Sequence, residues 1–397
     1  MKFKRTLLAA AMLAASSLSA PAADYIFSAS ADYSGPFADV MPNAMSGINA
    51  VANWWNAEVG KKLGVNVQVK IYDMRYDPAQ IAKTWPSILS SDHPIMHLGF
   101  GSPDLVTLMK RLPGDKVPML IGTAMVGLVW VPNGWHYSIR PTYSHEFAGL
   151  LSYLQEKKGK KLVIGPISTQ TQAGFVDQVN GVRKLAETYP DRFQVLDTQW
   201  VEASPVSLTA NVRTLAAGNP DVLLIGGTTA QVIAAAKAMG ELNVKIPIIA
   251  STHNGLTEVA KAINLSSLEG SYSAFSFAAP EQPNLPIEKI YNQYKKDGQW
   301  GLITAQSAAQ ALLAFRVLEK AIAKVGADKV TGEAMRNALL ENKFTEQELL
   351  GALPTLDFDD TAPFPIGDIK ATAEVVQGGK IQPIGGGWLT VPALKKW

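Results

Sequence analysis

Cysteine is missing from all 397 residues, and with it go thiol catalysis, disulfide bridges and thiolate metal sites. A lipid anchor of the bacterial lipoprotein type goes too, since that lipid is carried on a cysteine. Histidine is scarce. The five copies, His93, His97, His136, His145 and His253, form no H-E-x-x-H and no other close metal spacing. His93 and His97 are four apart, but Pro94 and the apolar residues after it read as a strand, where the two share no helical face. Charge of one sign is equally short. A balance of 36 basic against 34 acidic residues leaves no field to attract nucleic acid or an anionic membrane.

Catalytic motifs are lacking as well. There is no G-x-S-x-G elbow and no phosphate loop of the G-x-x-x-x-G-K-[ST] form. Gly99-Phe100-Gly101 has no third glycine to complete a dinucleotide fingerprint. The carboxylates Asp357, Asp359 and Asp360 read as a solvated turn rather than a calcium loop. The expectation is a protein with no cofactor, no metal and no bond chemistry of its own.

What the sequence does have begins at its first residues. Lys2, Lys4 and Arg5 precede an apolar and small-residue run from Leu7 to Ala20, followed by the A-x-A pattern Ala20-Pro21-Ala22. That is the three-part layout of a secretory signal peptide. The run is short of the ~20 residues that cross a bilayer. Residues 1–23 are therefore expected to be a signal peptide cleaved near Ala22 or Ala23, delivering a soluble chain to a Gram-negative periplasm. The length of the remainder exceeds what one core usually supports, so two lobes are expected.

After Asp24, short β-rich runs alternate with longer amphipathic ones. Tyr25–Ala31 reads as a strand, and Met41, Met45, Ile48, Ala52, Trp55 and Val59 recur at helical spacing. Val65, Val67, Val69 and Ile71 alternate with polar residues as a half-buried strand does. Asp77-Pro78 opens a helix over Gln80–Leu89. Ile95–Leu98 and Val117–Ile121 look like short buried strands. The alternation repeats as strand Leu162–Ile167, helix Gln172–Thr188, strand Phe193–Trp200, helix Ser207–Ala217, strand Val222–Ile225, helix Ala230–Met239 and strand Ile246–Ala250. Thr304–Lys324 is a long helix, Thr331–Asn342 another, and Gly378-Gly379 suits a hairpin turn. Such alternation implies an α/β protein with parallel sheets flanked by helices.

This order of elements resembles the type I solute-binding proteins of ABC importers, specifically the leucine/isoleucine/valine-binding family. The likeness spans the mature chain. It rests on Ser34-Gly35-Pro36, Tyr72-Asp73, Asp77-Pro78, Gly226-Gly227, the helix around Ser307–Lys320 and the turn Gly351…Asp357-Phe358-Asp359. The resemblance implies two doubly wound parallel-sheet lobes joined by three crossovers, with residues 24–140 plus 276–350 in the N-terminal lobe and 141–275 plus 351–397 in the C-terminal one. Ligand would lie between facing carboxyl ends of the strands, and the partners would be a small solute and the permease subunits in the inner membrane. The family habit is a monomer.

Carried onto this sequence, the N-lobe loops are Tyr33–Phe37, Phe100–Gly101–Ser102 and Thr123–Ala124–Met125. Ser102 and Thr123, with backbone amides near Phe100 and Ala124, would anchor a ligand carboxylate. Ser102 suits a helix N-cap equally well. The C-lobe loops would contribute Thr171, Gln172, Thr228, His253 and Asn254. Tyr33, Phe100, Phe275, Trp54 and Tyr76 could supply apolar walls. Two departures stand out. Ala173 precedes Gly174 where the family carries a tyrosine, and His253-Asn254 falls near the family's acidic partner for an α-ammonium. Without a buried carboxylate that charge is poorly compensated. An ordinary amino acid and a keto or aromatic acid are both open. So are two other roles on the same fold, a ligand sensor for a membrane signalling protein and a periplasmic hydrolase.

Overall fold

A computed structural model describes residues 23–361, 364 and 368–395. The expected signal segment lies, apart from Ala23, outside them. Two sheets organise the chain. The first is built from β1 (Ala23–Ala31), β2 (Val65–Asp73), β3 (Met96–Gly99), β4 (Met119–Ile121) and β5 (His136–Ser138), in the order β2-β1-β3-β4-β5 and all parallel. The second holds β6 (Leu162–Ser168), β7 (Phe193–Val195), β8 (Gln199–Trp200), β9 (Val222–Gly226), β10 (Ile248–Ala250) and β11 (Tyr272–Phe275), extended by β12 (Lys370–Gln377), β13 (Lys380–Pro383) and β14 (Leu389–Thr390). Its path is β13-β12-β11-β10-β9-β6-β7. The strands from β6 to β11 run parallel, and β12 joins β11 antiparallel.

In each sheet the first strand sits between the second and the third. That reversal of strand order is the switch point where open α/β sheets take ligands, at β1/β3 and at β6/β9. The chain passes between lobes three times: after β5, after β11, and between Phe358 and β12. Phe277, Leu285, Leu353, Leu356 and Phe358 all join the core of the first lobe. The last three lie beyond residue 350, so the first lobe's core reaches further along the chain than the expected boundary.

Local chemistry sets these elements. The helix Pro78–Asp92 begins where the Asp77 carboxylate accepts the Ala79 N–H at 2.9 Å, and it buries Ile81, Trp85 and Ile88 on one stripe. Burying each such side chain is worth about 2–3 kcal/mol. The same helix ends at His93 in the left-handed region, φ 47°, while His97 is fully buried in β3 between Ser28 and Ser30. Those two histidines hold structure and share no site. The Gly378-Gly379 hairpin forms as expected, both glycines at positive φ between the paired residues Gln377 and Lys380. The stretch Phe193–Trp200 breaks into β7 and β8, because the Arg183 guanidinium bonds the Leu196 carbonyl and the Thr198 hydroxyl between them.

The long helix Leu302–Val325 packs against the helix Met41–Trp55 in the first lobe. They pack tightly at Gly47, where an added Cβ would fall 2.6 Å from the Thr304 carbonyl. Gly47→Val is expected to cost about 2 kcal/mol, because backbone cannot move aside as a side chain can. A urea titration measures it, as a lower midpoint at unchanged slope.

Candidate functional site

Between the carboxyl ends of the two sheets lies a cleft of about 540 Å³. Its walls come from the loops after β1, β3 and β4 on one side and after β6, β9 and β10 on the other, with the start of the Leu302 helix closing one end. Phe37, Tyr76 and Phe100 form a mutually edge-packed group on the first lobe, with ring centroids 4.9–6.1 Å apart. Facing them, His253 lies between Tyr143 (5.1 Å) and Phe175 (5.6 Å). Edge-to-face contacts of this kind hold rings at fixed orientations.

A chain of hydrogen bonds crosses the cleft floor from lobe to lobe. Gln178 Nε2 donates to His253 Nδ1 at 3.2 Å, which places the imidazole proton on Nε2, directed at the Tyr143 hydroxyl 3.3 Å away. Tyr143 in turn bonds Thr123 (3.1 Å), and Thr123 bonds Ser102 (3.3 Å). Burial, with the Arg140 charge adding to it, pushes the His253 imidazole down to about 3. It is a neutral ring.

Beneath the chain sits Arg140, only 1% exposed and placed just after β5, where the first crossover begins. Its guanidinium forks onto Glu146, with Nε to Oε1 at 2.7 Å and Nη2 to Oε2. Nη2 also reaches Thr252 Oγ1 at 2.7 Å, and Nη1 lies 3.4 Å from Gln306 Oε1. Ser276, on the second crossover, donates to the same Glu146 carboxylate. One buried ion pair therefore ties together both lobes and two crossovers. Burial pushes the Glu146 carboxyl up, and Arg140 and Ser276 pull it back.

A second buried carboxylate, Asp104, accepts the Phe100 and Gly101 N–H groups, each at 3.0 Å, and the Ser30 hydroxyl at 2.5 Å. Burial alone would raise its pKa, but His97, the Gly101 N–H and Ser30 outweigh that and hold it low. The residue capping the helix Ser102–Leu108 is thus Gly101, tied by Asp104; Ser102 occupies the first helical position.

Of the residues singled out from sequence, Tyr76, Phe100, Gly101, Thr123, Gln172, Thr228 and His253 line the cleft. Ser102 stands one hydrogen bond behind Thr123. Of the amides assigned to a ligand carboxylate, the Phe100 N–H is engaged elsewhere, held by Asp104. Met125 caps a short helix, and Thr171 bonds Thr169. Asn254 is buried and structural, accepting the Ser251 N–H and donating to the Ile225 carbonyl. Phe275 is buried in the first core, stacked on Phe277 at 5.0 Å. Tyr33 is 45% exposed, its N–H given to Asp73, and Trp54 lies against the Arg316 guanidinium. None of these last four lines the cleft: Phe275 on its strand and Trp54 on its helix face other packing, and Asn254 and Tyr33 lie in loops whose hydrogen bonds hold them elsewhere.

Arg140, Tyr143, Phe175 and Gln306 are cleft-lining positions that sequence reasoning passed over. Arg140 carried a signal, being a cation directly after the buried run His136–Ile139. So did Gln306 and Gln310, four apart on an otherwise alanine-rich buried stripe. Gln310 donates to the carbonyls of Gly99 and Leu120 and fixes the long helix to the strand ends.

One interlobe contact is sensitive to pH. Asp177, on the helix Ala173–Thr188, accepts the Val126 N–H from the opposite lobe at 3.1 Å, and burial pushes its carboxyl up to about 6. A raised carboxyl means the folded state binds the extra proton between about 4 and 6, so stability falls as pH rises through that window. Asp177→Asn, which still accepts from Val126, is expected to add about 2 kcal/mol at pH 7 and nothing below pH 4. Melting curves across pH check both limbs.

A family model described as periplasmic binding protein matches residues 29–377. Among curated proteins none matches. Solved structures do. A branched-chain amino acid ABC transporter protein from Thermus thermophilus with bound valine is 16% identical, covers 92% of this chain and 96% of its own, and superposes with a TM-score of 0.75. A fatty acid ABC transporter substrate-binding protein from Thermomonospora curvata gives 17%, 93% and 92%, and 0.74. A leucine-binding protein from Thermotoga maritima gives 15%, 92% and 99%, and 0.71.

Proposed function

The chain belongs to the periplasmic binding protein family, and from that premise we propose that it is the substrate-binding component of an ABC importer. It captures a small carboxylate-bearing solute by closing its two lobes and passes it unchanged to permease subunits in the inner membrane. Export to the periplasm and a monomeric state belong to the same proposal. The observation that carries it is the cleft itself: two facing strand-end rims, aromatic walls, and hydrogen bonds that already run from lobe to lobe. Closure over such a gap buries a solute from water and makes a new outer shape. The Thr123 hydroxyl, at the cleft wall with Ser102 bonded behind it, can turn to a ligand carboxylate.

Hydrolysis is poorly served by the same groups. His253 reaches the Thr123 hydroxyl only through Tyr143, and an imidazole held near 3 is too weak a base to activate one at neutral pH. No helix among the described residues is long and apolar enough to cross a membrane, which suits a diffusing receptor.

A thermal-shift panel of amino acids, keto acids, fatty acids and aromatic acids tests the proposal. At ligand concentrations near 100 times Kd the melting temperature should rise by about 5 °C, and the ligand recovered from the complex should be chemically unchanged. Turnover of an ester or amide panel with no shift from any acid would point to an enzyme instead.

A further inference from the structure

We infer that the solute is an aromatic carboxylate that lacks an amino group. The inference rests on the solute-capture reading above and names the chemistry of its ligand.

Among the described residues only two carboxylates line the cleft, Asp39 and Glu258, and the buried Glu146 and Asp104 behind its walls are committed. Glu146 is forked by Arg140 and bonded by Ser276, and Asp104 is saturated by two backbone N–H groups and a serine. At the rim, Glu258 pairs with Lys261 at 2.5 Å and Asp39 is exposed to water. His253 is neutral. Among the described residues Arg140 is the one buried charged side chain in the lining, and its fork onto Glu146 leaves the pair close to neutral, so it offers an ammonium no partner. An α-ammonium here would lose its hydration and gain no partner, a cost that an otherwise identical acid without nitrogen does not bear. Donors for an anion are at hand: the Thr123 hydroxyl lines the cleft, bonded to Tyr143 and Ser102, and the capping box at Thr228 leaves the Thr229 and Ala230 amides at the cleft wall.

The apolar lining selects a ring. Phe37, Tyr76 and Phe100 on one lobe face Tyr143, Phe175 and His253 on the other. A flat ring entering between them meets faces and edges on both sides, which a branched aliphatic chain cannot match.

Titration calorimetry on the mature chain with two matched pairs tests the inference: 3-phenylpropanoate against phenylalanine, and 4-methylpentanoate against leucine. We expect 3-phenylpropanoate to bind tightest, at least about tenfold more tightly than phenylalanine, and 4-methylpentanoate to exceed leucine. Phe100→Leu should weaken 3-phenylpropanoate and leave 4-methylpentanoate nearly unchanged, its fold being checked by circular dichroism. Either amino acid binding more tightly than its deaminated twin overturns the inference and leaves solute capture standing. Binding by none of the four overturns it too, and the wider thermal-shift panel then decides whether capture itself fails.

Discussion

Arg140→Ala should cost about 3–5 kcal/mol of stability and abolish ligand binding at any accessible concentration. The size follows from what is left behind. Glu146 is about as buried as Arg140 itself, and its carboxylate would keep a single donor, Ser276, in place of a guanidinium fork. Removing one partner of a buried pair strands the other charge, whereas replacing both by apolar groups of similar volume does not. Arg140→Met combined with Glu146→Leu is therefore expected to be markedly more stable than Arg140→Ala alone, a non-additivity that denaturant titration of both variants measures. Binding should stay lost in the double variant, because Thr252 and Gln306 no longer converge on one side chain across the lobes. Equal destabilisation of single and double variants would mean that Arg140 matters for packing rather than for charge.

The second large effect is expected at Asp104. Asp104→Ala leaves the Phe100 and Gly101 N–H groups and the Ser30 hydroxyl without their acceptor, at about 1–3 kcal/mol for each buried orphan and about 3–4 kcal/mol in total after relaxation. The loop it frees carries Phe100 into the cleft wall, so ligand affinity should fall with stability. Hydrogen exchange at Phe100 and Gly101 should speed up well beyond the change at β4. The held-down carboxyl has a signature of its own. Its contribution is fully present above the unfolded value of about 4 and is lost as pH falls through the folded value. His253 adds to the same acid weakness. Its depressed imidazole means that the unfolded chain takes up the proton first, so stability is complete above about 6.5 and declines as pH drops toward 3. Asp177 pulls in the opposite direction across part of that range.

Much of the fold was legible because periodicity reports burial. Val65 and Val67 face in while Asn66 and Gln68 face out, as a strand beside one core requires, and Asp77-Pro78 marks a helix start whatever surrounds it. The site was legible only where a loop follows a strand directly, as at Phe100, Thr123, Thr228 and His253. Its interior was not. Arg140 gains its meaning from Glu146 six residues on, from Thr252 and Gln306 far along the chain, and from Ser276 on another crossover. At Asp104 nothing local says that its oxygen takes the amide assigned to a ligand. Phe275 and Asn254 failed for the converse reason: one ends a strand and the other follows one in a turn, but each side chain is buried against its own packing.

Because the chain has no cysteine, single thiols can be placed at will, and two suffice for the decisive measurement. Lys83→Cys on the first lobe and Lys237→Cys on the second are both exposed positions on helices outside the cleft. With spin labels at both, the interlobe distance should be broad or long without ligand and should shorten to a narrow distribution when a tight-binding carboxylate is added. A carboxylate that binds with full occupancy yet leaves that distance unchanged would contradict capture by closure of the two lobes.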